Sequence, residues 1–214
     1  AKSISNPVNT NLVEKVSINN VKKFTPENPI GSVIILDLGA KNNLLRILLS
    51  KSIEVVVVPY NYSYNKIKEM KPNGVLIPNG PGNPNLYKET IETIKNLITD
   101  DVPSMGVGLG NMLIGLANGY ECYKMTAEHR GGRTTVESAT NLCFITFQNH
   151  AYCLKDVKEN GFKQYFHDKD DNTNEGLIHE TKPIFSVGFN PEGAPGALDM
   201  KELIFNKFIK LMEV

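Results

Sequence analysis

The chain has 214 residues, 41% of them hydrophobic, and its 23 basic side chains balance 23 acidic ones. That suits one domain with a sizeable core, or one domain with a tail, and the lack of a basic excess argues against a nucleic-acid partner. No apolar run reaches the ~18 residues of a membrane span, no signal- or transit-peptide pattern opens the chain, and three irregularly spaced cysteines (Cys122, Cys143, Cys153) suit a reducing compartment, not a disulfide framework.

Residues 1–31 are polar and without sustained periodicity, apart from one short strand expected within 11–18. They read as a connector packed on a domain edge. From Ser32 onward strands and helices alternate. The run 33–37 is almost wholly apolar, as a central parallel strand covered on both faces requires. A helix is expected over 42–50, with Leu44, Leu45, Leu48 and Leu49 as its stripe. Strands at 54–59, 74–78 and 104–107 follow, with helices over 64–70 and 86–98 between them. This spacing predicts an α/β fold with an open, mostly parallel sheet and helices on both faces. Ligands of such sheets sit beyond the carboxyl ends of the strands.

After Gly119 the texture changes. Short strands are expected at 120–124, 134–138, 142–146, 151–154, 176–179 and 184–187, then a closing helix over 199–212. These strands read as antiparallel extensions of the same sheet, so 32–214 is taken as one domain.

Four stretches carry chemistry. Gly106-Val-Gly108-Leu-Gly110-Asn-Met112 puts a tight glycine turn between a strand and a helix start. That is the frame of a nucleophile elbow, but its apex, Gly108, has no reacting atom. Asn79-Gly-Pro-Gly-Asn-Pro84 follows another strand, and its glycines allow backbone N–H groups to point outward together, as an oxyanion nest needs. The third is Gln148-Asn-His-Ala-Tyr152, and the fourth Phe185-Ser-Val-Gly-Phe-Asn-Pro-Glu192.

Together they resemble the class I, triad-type glutamine amidotransferases, and within them the glutaminase half of carbamoyl-phosphate synthetases. Asn111 and Tyr152 favour the ammonia-dependent, urea-cycle branch, whose elbow also lacks its cysteine. The resemblance implies a flavodoxin-like fold and places Gly108 at the nucleophile position, Asn190 at the base position and Glu192 as the retained triad carboxylate. An amide has no basic nitrogen, so Asn190 cannot act as a base. Gly80, Gly82 and Leu109 inherit the oxyanion hole. Met112, Asn149, Ala151 and Tyr152 inherit substrate contacts, with Met112 standing where the family has Gln and Ala151 where it has Gly. His150 is read as structural, and His129, His167 and His179 as surface or structural.

The implied function is a catalytically degenerate glutaminase-type domain, scaffold or regulator of a synthetase portion that makes carbamoyl phosphate from bicarbonate, ATP and ammonia. The alternative is a free-standing pseudoenzyme that binds a small polar ligand in the old pocket. A recruited nucleophile, Cys153 or Ser104, is the weakest reading. No metal or cofactor is expected in this domain, ATP and a divalent metal belonging to the synthetase portion. Neither a nucleic-acid nor a membrane partner is expected. The compartment implied is the mitochondrial matrix for the urea-cycle type and the cytoplasm otherwise. The amides of Gly80, Gly82 and Leu109 are expected to stay open to an anion, beside extra room left by the missing cysteine.

Overall fold

The computed structural model describes residues 9–155, 160–193 and 196–214. Three valine- and isoleucine-rich runs make the centre of one ten-stranded sheet: β2 (Gly31–Asp37), β3 (Ile53–Pro59) and β4 (Gly74–Ile77). Their side chains alternate between two cores. Val33, Ile35, Val55, Val57 and Leu76 face helices α1 (Asn42–Ser50) and α5 (Lys201–Leu211), packing on Leu44, Leu48, Ile204 and Phe208. Ile34, Leu36, Val58, Val75 and Ile77 face α2 (Tyr64–Glu69), α3 (Lys88–Thr99) and α4 (Leu109–Ala117). Burial on both faces is why the middles of these strands, 33–36, 55–58 and 75–77, are apolar at successive positions.

The parallel block runs β3-β2-β4-β5-β10, with β5 at Ser104–Val107 and β10 at Ile184–Val187. Beyond β10 the sheet continues antiparallel through β9 (Asn174–His179), β8 (Phe162–Asp168), β6 (Cys122–Glu137) and β7 (Cys143–Leu154). The fold is therefore α/β with a mixed sheet, and its antiparallel part is larger than the sequence suggested. The short strands expected at 120–124, 134–138, 142–146 and 151–154 merge into one long hairpin, β6–β7, with an irregularity between Lys124 and His129. Strand β8 was not expected. Its buried Phe162, Tyr165 and Phe166 lack the strict alternation that marks a half-buried strand.

The expected strand within 11–18 is a 3-10 turn over Val13–Lys15, whose Val13 drops into the core. The sheet edge is taken instead by β1 (Lys22–Phe24), antiparallel to β3 and exposed throughout. Its pairing is backbone to backbone, which a polar three-residue stretch does not announce. No helix among the described residues is long and apolar enough to cross a membrane.

Candidate functional site

The carboxyl ends of β2, β4, β5 and β10 open into a cleft of about 510 Å³, within the range of small-molecule sites. The loop after β4, Asn79–Pro84, forms one wall with Leu12. The floor is Gly108, Leu109 and Met112, and the far wall is the β6–β7 hairpin with Lys124, Glu128, Arg130 and residues 149–152.

The elbow keeps its shape. Gly108 ends β5 and caps α4 at φ 55°, ψ −110°, a conformation that strains any residue with a Cβ. Its N–H is held by the Val187 carbonyl at 2.8 Å. Gly110 lets α4 lie against β4, since a Cβ there would stand 2.0 Å from the Ile77 carbonyl oxygen.

One side chain, Asn79, organises the centre. The Gly80 and Leu109 N–H groups donate to its Oδ1 at 2.8 and 3.0 Å. Only an oxygen can accept both, so its Nδ2 faces the other way. There it donates to Asn190 Oδ1 at 2.8 Å. A Cβ built on Gly108 would lie 2.3 Å from Asn79 Cγ. The carboxamide thus occupies the volume that a side chain at 108 would take. This corrects two expectations. The amides of Gly80 and Leu109 are not open, because Asn79 satisfies them, and the missing side chain leaves no void. At Gly82, φ is +96°, and the loop is pinned by Tyr87, whose hydroxyl donates to the Pro81 carbonyl at 2.7 Å.

Asn190 and Glu192 are buried beside this network. Lys41 Nζ lies 2.8 Å from Glu192 Oε1, outside hydrogen-bond alignment, and neither carboxylate oxygen has a hydrogen-bond donor among the described residues. The lysine supplies the positive partner of this buried carboxylate. The Glu192 carbonyl accepts from Asn43 Nδ2 at 2.6 Å. Met112 is buried at the floor, while Asn149 is exposed on the far wall with its Oδ1 accepting from Arg130 Nη1 at 2.6 Å. Ala151 and Tyr152 are half-buried, and burial raises the Tyr152 phenol, helped by Cys122 and Glu128.

Neither recruited nucleophile is placed to react. Cys153 is fully buried, and burial, then the Glu175 charge, pushes its thiol up to about 12. Ser104 lies at the start of β5, the opposite end from Gly108, donating to the Val102 carbonyl at 2.8 Å. All ten positions inherited from the resemblance gather at the site. Residues not anticipated are Lys41, Lys124, Glu128 and Arg130, which make the rim charged, and Asn79, which fills the centre. Asn79 opened a loop already singled out, but its direction into the elbow is a tertiary fact.

The family model for "Glutamine amidotransferase class-I" matches residues 34–211. The chain belongs to the class-I glutamine amidotransferase family. Among its relatives, the carbamoyl phosphate synthase small chain of Methanocaldococcus jannaschii is 42% identical over 99% of this chain and 60% of its own length. That of Pyrococcus furiosus is 40% identical over 95% of this chain and 55% of its own. The human mitochondrial carbamoyl-phosphate synthase [ammonia] is 40% identical over 97% of this chain, which corresponds to 14% of that protein. This amidotransferase domain thus spans little more than half of the archaeal relatives and a seventh of the human one. Among solved structures, a glutamine amidotransferase from Thermotoga maritima shares the fold at TM-score 0.62 and 14% identity, covering 86% of this chain and 84% of its own.

Proposed function

We propose that this amidotransferase domain does not hydrolyse glutamine and serves as a scaffold or regulatory domain for the synthetase portion of a carbamoyl-phosphate synthetase. The observation that carries this reading is the Asn79 carboxamide. It takes up Leu109 N–H and Gly80 N–H, bonds Asn190, and fills the space above Gly108. Hydrolysis through a thioester needs a nucleophile, a base within reach and two N–H groups free for the oxyanion. Gly108 offers no nucleophile, Asn190 offers no base, and both N–H groups are already bonded. In a comparable serine-enzyme triad, loss of the nucleophile or base alone costs roughly a million-fold.

The similarity to synthase small chains and to the ammonia-type enzyme supports a synthetase partner, with ATP and its metal bound there. In this reading residues 1–31 connect to a preceding domain, and the matrix is the compartment if the parent is of the urea-cycle type. The test is a glutamate-release assay on the purified chain, alone and with a synthetase portion. No release above a heat-inactivated control is expected. Turnover that Asn190→Ala abolishes would overturn the reading.

A second reading, a free-standing protein that binds a small polar ligand, is favoured by the cleft itself. Its rim carries Lys41, Lys124 and Arg130 against Glu128, with the buried Glu192 below. Calorimetry with glutamine and small dicarboxylates discriminates: saturable binding lost in Arg130→Ala supports it, and absent heat counts against it.

A further inference from the structure

Behind the far wall of the cleft, β6, β7 and β9 bury four side chains that meet at one point. His129 Nδ1 lies 2.8 Å from Gln148 Oε1 and 2.9 Å from Glu175 Oε1. His150 Nε2 lies 2.9 Å from the same Gln148 oxygen and 3.1 Å from the same Glu175 oxygen. Two nitrogens and two oxygens thus alternate around a closed ring, and all four residues are buried.

The outer partners fix the hydrogens. His129 Nε2 faces Asp171 Oδ2 at 2.8 Å, and His150 Nδ1 faces the Tyr152 carbonyl oxygen at 2.9 Å. Both partners only accept, so each of those nitrogens carries the hydrogen, and a neutral ring turns a lone pair inward. Gln148 Nε2 donates to Thr135 Oγ1 and Thr146 Oγ1 at 3.2 and 3.3 Å. The two hydroxyls are 2.7 Å apart, and Thr146 donates onward to the Arg133 carbonyl at 3.3 Å. That relay uses both hydroxyl hydrogens, so the threonines offer lone pairs to the amide and its oxygen faces the histidines. The Glu175 carboxylate only accepts. With neutral rings, four lone-pair atoms converge and no hydrogen stands among them.

Charge leads to the same place. Three carboxylates, Asp168, Asp171 and Glu175, surround the point, and among the described residues only Arg133 answers them, held on Asp168 at 2.6 and 2.7 Å. Glu175 is fully buried, and its Oε2 has no hydrogen-bond partner among the described residues. Neutral rings leave two negative charges uncompensated, which two protons or one dication would balance. Ligand atoms about 2.1 Å from a first-row dication stand roughly 3 Å apart or slightly more, close to the separations in this ring.

We propose that His129, His150, Glu175 and Gln148 form a binding site for a first-row divalent cation of zinc type. Two imidazoles with a carboxylate and an amide oxygen suit such a borderline ion better than magnesium or calcium. The Asp171 carboxylate and the Tyr152 carbonyl act as the outer partners that orient metal-binding histidines. Four protein ligands close the shell, so the ion is structural: it ties the β6–β7 hairpin to β9 and takes no part in chemistry in the cleft. The sequence named no such set, because its members stand at 129, 148, 150 and 175 without a metal-ligand spacing. Without the cation, His129 holds a proton there: burial opposes its charge, yet Glu175 and Asp171 outweigh it and raise its pKa to about 9. Uptake displaces that proton and therefore weakens on acidification.

The site is independent of the glutaminase reading, and its test needs no activity. The full chain is stripped with a chelator and equilibrated with zinc chloride. Bound zinc is counted by elemental analysis, and the thermal midpoint is followed. About one zinc per chain and a raised midpoint are expected. His129→Asn and His150→Asn should abolish uptake with the far-ultraviolet spectrum retained. If either fails to fold, Glu175→Gln, which keeps the volume, should weaken uptake about tenfold or more. Cobalt in place of zinc should give the visible bands of a tetrahedral site. Substoichiometric zinc, uptake that survives all three substitutions, uptake lost instead in Cys143→Ser, or ring nitrogen shifts that stay those of imidazolium in excess zinc would overturn the proposal.

Discussion

The two flanks of the sheet hide opposite things. In the parallel block, β2, β3 and β4 bury valine, isoleucine and leucine on both faces against helices. In the antiparallel flank, β6 to β9 bury His129, Thr135, Thr146, Gln148, His150, Asp168, Asn174 and Glu175. Burial in the first region is apolar transfer, non-directional and tolerant of small shifts. In the second it is hydrogen-bonded pairing, which stabilises only when each partner is in place. Between the two lies the cleft, with an apolar-block elbow as its floor and the polar flank as its far wall. The glycine elbow thus belongs to the sturdy half, where strand packing and the glycine turn hold its backbone.

Phe208→Ala removes a fully buried ring from the α5 face of the sheet and should cost about 3–5 kcal/mol, read as a lower urea midpoint with an unchanged slope. A loss well under 1 kcal/mol would mean the parallel block is not the main source of stability.

Arg133→Met probes the flank. It takes from the buried Asp168 carboxylate the guanidinium that gives it two hydrogen bonds, leaving only the Asp170 N–H donating to it among the described residues, and should cost about 3 kcal/mol. Hydrogen exchange should quicken first at β6 and β8 amides, while β2 and β4 stay protected. Uniform acceleration across the sheet would show that the two regions open as one unit.

Gly108→Ala tests the seam between them. The positive φ and the displacement of Asn79 together should cost about 2 kcal/mol. In an Asn79→Ala background the cost should fall by about 1 kcal/mol, the coupling being read from a double-mutant cycle. No coupling would mean that Asn79 does not fill the space above the elbow.

The smallest effect is on reactivity. Burial pushes the Cys122 and Cys153 thiols each up to about 12, with their mutual charge secondary at Cys122 and Glu175 secondary at Cys153. A raised pKa means less thiolate at any given pH, so a thiol reagent near pH 8 should label exposed Cys143 alone and reach all three only on unfolding. Fast labelling of Cys153 in the native chain would show that the flank breathes more than its network implies.

Much of the parallel block was legible. Runs such as 33–37 and the helical stripe of α1 are direct consequences of burial on both faces and of the 3.6-residue period. The elbow was legible as well, because a backbone at φ 55° selects glycine locally. The flank was less so. The length of the β6–β7 hairpin escaped, since strands that bury threonine, glutamine and histidine show no apolar alternation, and β8 escaped because its buried Phe162, Tyr165 and Phe166 do not alternate strictly. Strand β1 escaped because an exposed edge strand is chosen by an available partner, not by its own side chains.

What the sequence determined by itself, then, was the order of strands and helices in the first half, the glycine turn, and the residue types at the site: Gly108 without a side chain, Asn190 with an amide that has no basic nitrogen, and Glu192 with a carboxylate. These follow from residue type, which acts at short range. Only the tertiary structure decided that Asn79 would turn into the elbow and use up two N–H groups, that Lys41 would stand beside Glu192, and that His129, Gln148, His150 and Glu175 would share one point. Such contacts join residues far apart in the chain, Lys41 and Glu192 by 151 positions. A polar side chain finds its partner only after the backbone has folded and excluded water, because until then water satisfies it equally well.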